Sequence, residues 1–361
     1  MKVEEKIKAL AQFGAFLGQF GENDNRSDEL AELNELHYDT MAAALRKAEQ
    51  HNGWFTEAAL RYAMTSWSNA LTEEKLEKWL SPYKMDTIVV KGQQKQIGVI
   101  MAGNIPVVGL HDLITVVVAG HRLKAKLSSD DRILLPEMVT VLSSINPQLV
   151  KGIEFTDGQL KEVDAIIATG SNNSARYFEH YFSSYPHIIR KNRSGVAVLT
   201  GEESEAELQA LGNDIFRYFG LGCRNVSKLF VPGGYDLNHF FKGIFSFSDA
   251  VINHNKYANN YDYHRAIYLL NKDDILENGF VLLKEEEALS SPVAVLHYSY
   301  YESPEHLRKQ LDGLEDEVQC VVGSSDLYPG ALPFGTSQQP ELWDYADGVD
   351  TLAFLLKLHQ G

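Results

Sequence analysis

From residue 99 onward the chain repeats one pattern three times: a short β-branched run, a loop of small and polar residues, then a segment of helical length. Residues 99–102 lead into Gly103-Asn104-Ile105-Pro106 and a helix expected over 107–120. Residues 123–127 lead into a Ser-Ser-Asp-Asp loop and a helix over 131–144, and residues 165–169 into Gly170-Ser171-Asn172-Asn173-Ser174 and a helix starting near Ala175. Few architectures accept three such units in a row. They predict an α/β fold in which helices wrap a parallel sheet and ligands gather outside the carboxyl ends of the strands.

Around this core the character changes. Residues 1–80 read as helical, with Ile7, Leu10, Phe13, Phe16, Leu17 and Phe20 at helical spacing, and Ser81-Pro82 closes the region. Residues 87–90 and 96–101 are strand-like, separated by Lys91-Gly92-Gln93. After a strand at 196–199, the acidic stretch 200–207 is taken as the crossing into a second domain. There a helix at 204–219, a strand at 228–231, helices to about 255 and strands near 266–270, 279–283 and 293–298 are expected, before the apolar segment 351–358. The expected organisation is 1–200 for the helical region and first α/β domain, 201–337 for the second domain and 338–361 for a C-terminal segment.

Composition narrows the function classes. Lys+Arg 33 against Asp+Glu 49 gives a net charge of −16, which repels nucleic acid and anionic membranes. No uncharged apolar run reaches the roughly 18 residues of a membrane span, and the charged N-terminal segment is expected to be a helix of the mature protein rather than a signal peptide. With only Cys223 and Cys320, a disulfide framework is not what holds the chain together, and the cytoplasm is the expected compartment. Motifs of zinc peptidases, Walker loops, paired C-x-x-C and nucleophile elbows are missing, so no metal is expected.

Chemistry-bearing residues are few. Cys223 follows Phe219-Gly220-Leu221-Gly222, whose glycines clear one approach to the sulfur, and precedes Arg224. A neighbouring cation, and a helix beginning at Asn225, would favour the thiolate; a structural cysteine beside a turn is the alternative. Cys320, in Val318-Gln319-Cys320-Val321-Val322, reads as core. Asn104 either donates to a developing oxyanion or caps the following helix. Lys126, at a strand's carboxyl end with Ser128 close behind, suits a ribose hydroxyl or phosphate, or is simply solvated. Gly170-Ser171 opens a helix N-terminus able to take a phosphate, although G-x-G-x-x-G does not occur. Arg190-Lys191-Asn192-Arg193 is offered as a phosphate contact or a solvated turn. His254 and His264, among Tyr257, Tyr261 and Tyr263, either line a pocket or serve as ordinary core and surface residues.

Taken in order, Asn104, Lys126 with Ser128, Gly170-Ser171, Cys223 and Pro333-Phe334-Gly335 resemble the aldehyde dehydrogenase superfamily, and within it the LuxC-type acyl-CoA reductases. The resemblance covers roughly residues 85–355, with Ala-Thr-Gly-Ser-Asn-Asn at 168–173 and Tyr-Phe-Gly-Leu-Gly-Cys-Arg-Asn-Val-Ser-Lys at 218–228 as its most specific stretches. It implies a Rossmann-like cofactor domain beside an α/β catalytic domain. The implied cofactor is NADPH, with NADH left open, bound without a G-x-G-x-x-G loop. Cys223 would be the nucleophile, Asn104 the side-chain oxyanion donor, Lys126 and Ser128 the contact at the adenosine ribose or its phosphate, and Gly170-Ser171 the turn under the cofactor. The substrate would be an acyl-CoA, or an acyl group from acyl phosphate or an acyl-activating partner protein; a catalytically inert nucleotide-binding protein of the same fold is the rival from another class. The chain is shorter than typical members, which leaves room for a missing oligomerisation arm; a homo-oligomer is left open. Two departures matter. Where aldehyde-oxidising members carry a general-base glutamate, this chain has Ile188-Ile189-Arg190-Lys191-Asn192-Arg193-Ser194-Gly195, which contains no carboxylate. The motif that meets the nicotinamide ribose is matched only loosely, by Glu286-Glu287-Ala288-Leu289-Ser290-Ser291-Pro292-Val293.

Overall fold

A computed structural model describes residues 1–23, 25–83, 85 and 94–359. The expected strand at 87–90 and turn at 91–93 lie outside the described residues. The chain divides into two compact units, Met1–Lys191 with Glu341–Gly361, and Asn192–Pro340.

The first unit begins with four helices, α1 (Val3–Gly18), α2 (Ala31–His51), α3 (Glu57–Ala70) and α4 (Glu73–Leu80). The apolar stripe of α1 is the one its spacing predicts: Phe13, Phe16 and Leu17 are fully buried, each contributing roughly 1.5–3 kcal/mol. Then follow β1 (Gln96–Ile100), α5 (Leu110–Val118), β2 (Arg122–Lys126), α6 (Leu134–Ile145), α7 (Pro147–Val150), β3 (Ile153–Phe155), β4 (Ala165–Thr169), α8 (Asn172–Phe182) and β5 (His187–Arg190). The strands form one parallel sheet in the order β3-β2-β1-β4-β5. Alternation along β1 and β4 sends Ile97, Val99, Ala165 and Ile167 into the main core, while Ile166 and Ala168 pack with Phe178 and Phe182 of α8 on the other face. The helix Thr351–Lys357, expected only as an apolar segment, adds Leu352, Leu355 and Leu356 to that main core.

The second unit carries β6 (Ser194–Val198), α9 (Glu205–Phe216), β7 (Val226–Pro232), α10 (Leu237–Gly243), α11 (Ser248–Ile252), α12 (Asn255–Asn271), β8 (Ile275–Glu277), β9 (Leu282–Glu285), β10 (Val295–Tyr301), α13 (Pro304–Asp312) and β11 (Val318–Gly323). Its sheet runs β11-β6-β7-β10-β9-β8, parallel except for the β8–β9 pair. The strand expected near 266–270 is instead the last turn of α12; its short apolar run belongs to a helix capped by His254 and closed by left-handed Lys272. Helix α13, which the sequence reading did not separate, is opened by Ser303 and Pro304.

Candidate active site

In the first unit the loops after β1 and β4 lie on either side of the point where the strand order reverses, the position at which open α/β sheets bind ligands. Asn104 is exposed in the loop after β1, upstream of Gly109, the actual N-cap of α5, so capping that helix is not its role. The loop is pinned from beneath. A Cβ on Gly103 would stand 2.5 Å from Ser128 Cβ, so only glycine fits against the loop after β2. Val107 adopts a left-handed φ of 52°, which costs a β-branched residue about 1–3 kcal/mol, and its N–H donates to Asp131 Oδ2 at 2.7 Å. Lys126 ends β2 and is exposed, and the Ser128 hydroxyl accepts from Asp130 N. Ser171 caps α8 by accepting from Ser174 N, so that helix begins at Asn172, earlier than expected.

Asp131 escaped the sequence reading, because nothing local distinguishes it from Asp130. It is 4% exposed, its Oδ1 has no hydrogen-bond partner among the described residues, and burial pushes its pKa up to about 7, opposed by the Val107 N–H. A carboxyl group whose folded pKa lies above its unfolded value binds more protons when folded, so its contribution to stability declines as pH rises from about 4 to about 7. Asp131→Asn keeps an acceptor for Val107 and cannot ionise. Urea unfolding at several pH values should show the variant gaining on the wild type across that window, by at most about 4 kcal/mol, with a constant difference above pH 8.

In the second unit Cys223 is exposed in the turn between α9 and β7. No helix begins at Asn225, contrary to expectation: β7 starts at Val226, so the thiol does not face a helix N-terminus there. The turn is held by Asn225, which is 2% exposed. Its Oδ1 accepts from Gly222 N at 2.8 Å, and its Nδ2 donates to the carbonyls of Asp214, Ile215 and Arg217. One buried amide thus satisfies the frayed end of α9 and fixes the glycine immediately before the cysteine. Tyr218, Phe219 and Gly220 all have positive φ, of 52°, 57° and 78°, a run of left-handed backbone that is costly for two aromatic residues. The Phe219 ring is stacked on His254 at 4.2 Å.

Asp214, fully buried on α9, joins this turn to the Pro333-Phe334-Gly335 segment. Its carboxylate accepts from Gly335 N at 2.6 Å and Ser337 N at 2.9 Å, while Arg224 Nε donates to Ser337 O at 2.6 Å. Burial raises the Asp214 pKa and these backbone donors oppose the shift. Two of the motifs picked out in the sequence are therefore braced by residues that the sequence reading passed over. Cys320 is half-buried rather than core, and its thiol reaches the Arg224 carbonyl at 3.7 Å. A cavity of about 20 Å³, room for about one water, is lined by Phe216, Phe219, Gly220, Tyr257 and Leu296; His254 stacks on its wall and His264 is not among its lining residues.

The basic cluster does not act as a unit. Arg190 is buried in a bidentate pair with Asp112 at 2.7 and 2.9 Å and also donates to Thr351. Lys191 pairs with Glu179 on the surface, and Arg193 donates to the carbonyls of Glu315 and Val318. Arg190 is a structural cation, which alternating burial along β5 produces and charge counting does not reveal. Among the described residues no helix is long and apolar enough to cross a membrane.

No protein-family model matches the chain, and no curated protein matches it. Solved structures do. An oxidoreductase from Marinobacter aquaeolei is 13% identical with a TM-score of 0.58, covering 86% of this chain and 71% of that one. Aldehyde dehydrogenase 21 from Physcomitrella patens, solved with succinate, is 11% identical with a TM-score of 0.61, covering 90% and 74%. An NADP-dependent glyceraldehyde-3-phosphate dehydrogenase from Bacillus halodurans, solved with NADP, is 11% identical with a TM-score of 0.59, covering 88% and 72%. At these identities the likeness is one of architecture, and the chain has the aldehyde dehydrogenase-like fold.

Proposed function

We propose that the protein is an oxidoreductase of the LuxC type, which captures an acyl group from acyl-CoA on Cys223 and releases it as an aldehyde. The observation that carries this is the exposed Cys223 thiol, on a turn whose backbone Asn225 holds rigid, in a chain whose residues 188–195 offer no carboxylate to activate water. The Cys223 thiolate attacks the thioester carbonyl carbon and forms a new C–S bond. The oxyanion takes hydrogen bonds from the Asn104 amide and a backbone N–H beside Cys223. Its collapse breaks the bond to coenzyme A, which leaves as a thiolate and needs little acid assistance.

Lys126, Ser128, Gly170 and Ser171 would hold NADPH, or NADH; the exposed cation and the loops around the strand-order reversal suit an anionic dinucleotide. The nucleotide, when bound, supplies a hydride to the acyl carbon. Cys223 then acts as leaving group: the oxyanion collapses to the aldehyde carbonyl as the carbon–sulfur bond breaks, and the sulfur departs with the bonding pair as the thiolate that began the cycle. The exposure of Cys223 also suits an acyl group delivered by a partner protein. Nicotinamide oxidation should therefore be followed with acyl-CoA of graded chain length, with acyl phosphate and with protein-bound acyl groups. Turnover with acyl-CoA is expected; no oxidation with any donor would overturn the assignment.

A further inference from the structure

Tyr218, Phe219 and Gly220 enter the Cys223 turn with left-handed backbone, and the sequence places glycine only at the third of them. Aromatic residues visit that region rarely and stay in it only where surrounding contacts impose it. On the Cys223 side, Asn225 pins Gly222. The upstream side is held through rings. The Phe219 ring meets the His254 imidazole at 4.2 Å between centroids and 28° between planes, and the Tyr257 ring at 6.2 Å and 48°. Both partners open α12: His254 is its N-cap, the Tyr257 N–H donates to His254 Nδ1 at 3.4 Å, and Tyr257 is 2% exposed. That capping bond is long, and Ser, Thr, Asp or Asn caps a helix better than an imidazole does. What His254 offers that those residues lack is a flat face.

We propose that His254 is a positioning residue for Cys223: its ring, stacked on Phe219, holds the left-handed run 218–220 and so sets the angle at which the thiol meets an acyl carbonyl. The proposal deepens the reading of Cys223 as the nucleophile and rests on it. Every residue it names lies in the second unit. A nucleophile displaced by a fraction of an ångström loses rate toward a substrate bound in one orientation, while a small, freely tumbling electrophile still finds it. Acyl capture and simple alkylation of Cys223 should therefore separate when the stack is removed.

Two substitutions divide what the imidazole does. His254→Phe keeps a flat ring for Phe219 and loses the cap; His254→Asn keeps a cap and loses the ring. Single-turnover acyl transfer to the full chain from acetyl-CoA and from octanoyl-CoA is read by intact-protein mass spectrometry, beside iodoacetamide alkylation of Cys223 and the melting temperature. His254→Asn should slow acyl capture about fivefold or more, the order that loss of a ring stack carries, with alkylation and melting temperature near those of wild type. His254→Phe should melt about 2–4 °C lower and recover capture to within about twofold of wild type. Unchanged capture in His254→Asn, or capture that falls with the melting temperature in His254→Phe as a purely structural cap would require, overturns the proposal. If His254→Asn does not fold, Phe219→Leu, which removes the other ring of the stack, must slow capture about fivefold; unchanged capture again overturns it. A wild-type chain that is alkylated but takes no acyl group from either ester overturns the underlying reading and the proposal with it, an outcome distinct from loss in the variants alone.

Discussion

Cys223→Ala is expected to abolish acyl capture and lower aldehyde formation by roughly 10³-fold or more, because no other group takes over the covalent step of a nucleophile. The fold should survive. Cys223 is exposed, and Asn225 and Arg224 hold the turn on either side of it. The melting temperature should therefore stay within a degree or two of wild type, as exposed positions usually allow. Intact-protein mass spectrometry after exposure to acyl-CoA should show one acyl adduct on wild type and none on the variant. Cys320→Ala, at a half-buried thiol whose contact to the Arg224 carbonyl is 3.7 Å long, should keep the adduct.

Arg190→Leu is expected to destabilise the first unit by about 3–5 kcal/mol, since it leaves Asp112 buried without its counter-charge. Leu at both positions should recover most of that loss, because two buried charges are then removed together. Urea unfolding of the two single variants and the double variant measures the coupling. Were Arg190 a phosphate contact, the substitution would instead weaken nucleotide binding and leave stability nearly intact.

The first unit was legible because its signals are local. Each βα unit carries its own strand run and loop, and Lys126, Gly170 and Ser171 fall at strand ends as their neighbours dictate. The second unit was less so. Residues 266–270 have the apolar content of a short strand, and only their continuity with Asn255–Asn271 makes them helical. The buried carboxyl groups that support the site were not legible. Asp131 and Asp214 act through backbone groups that are distant in sequence, Val107 for the first and Gly335 and Ser337 for the second. No spacing rule marks a side chain whose partner is a main-chain atom on another element. Arg190 shows the converse: a charge run reads as surface until strand alternation turns one member inward.

The central claim is that an acyl group on Cys223 receives hydride rather than water. It is tested most directly by loading the protein with a radiolabelled acyl-CoA, removing excess donor, and following the label with and without NADPH. The account predicts an adduct that persists without nucleotide and is discharged as labelled aldehyde once NADPH is added. Release of labelled acid at a comparable rate without nucleotide, or no adduct at all, would contradict it.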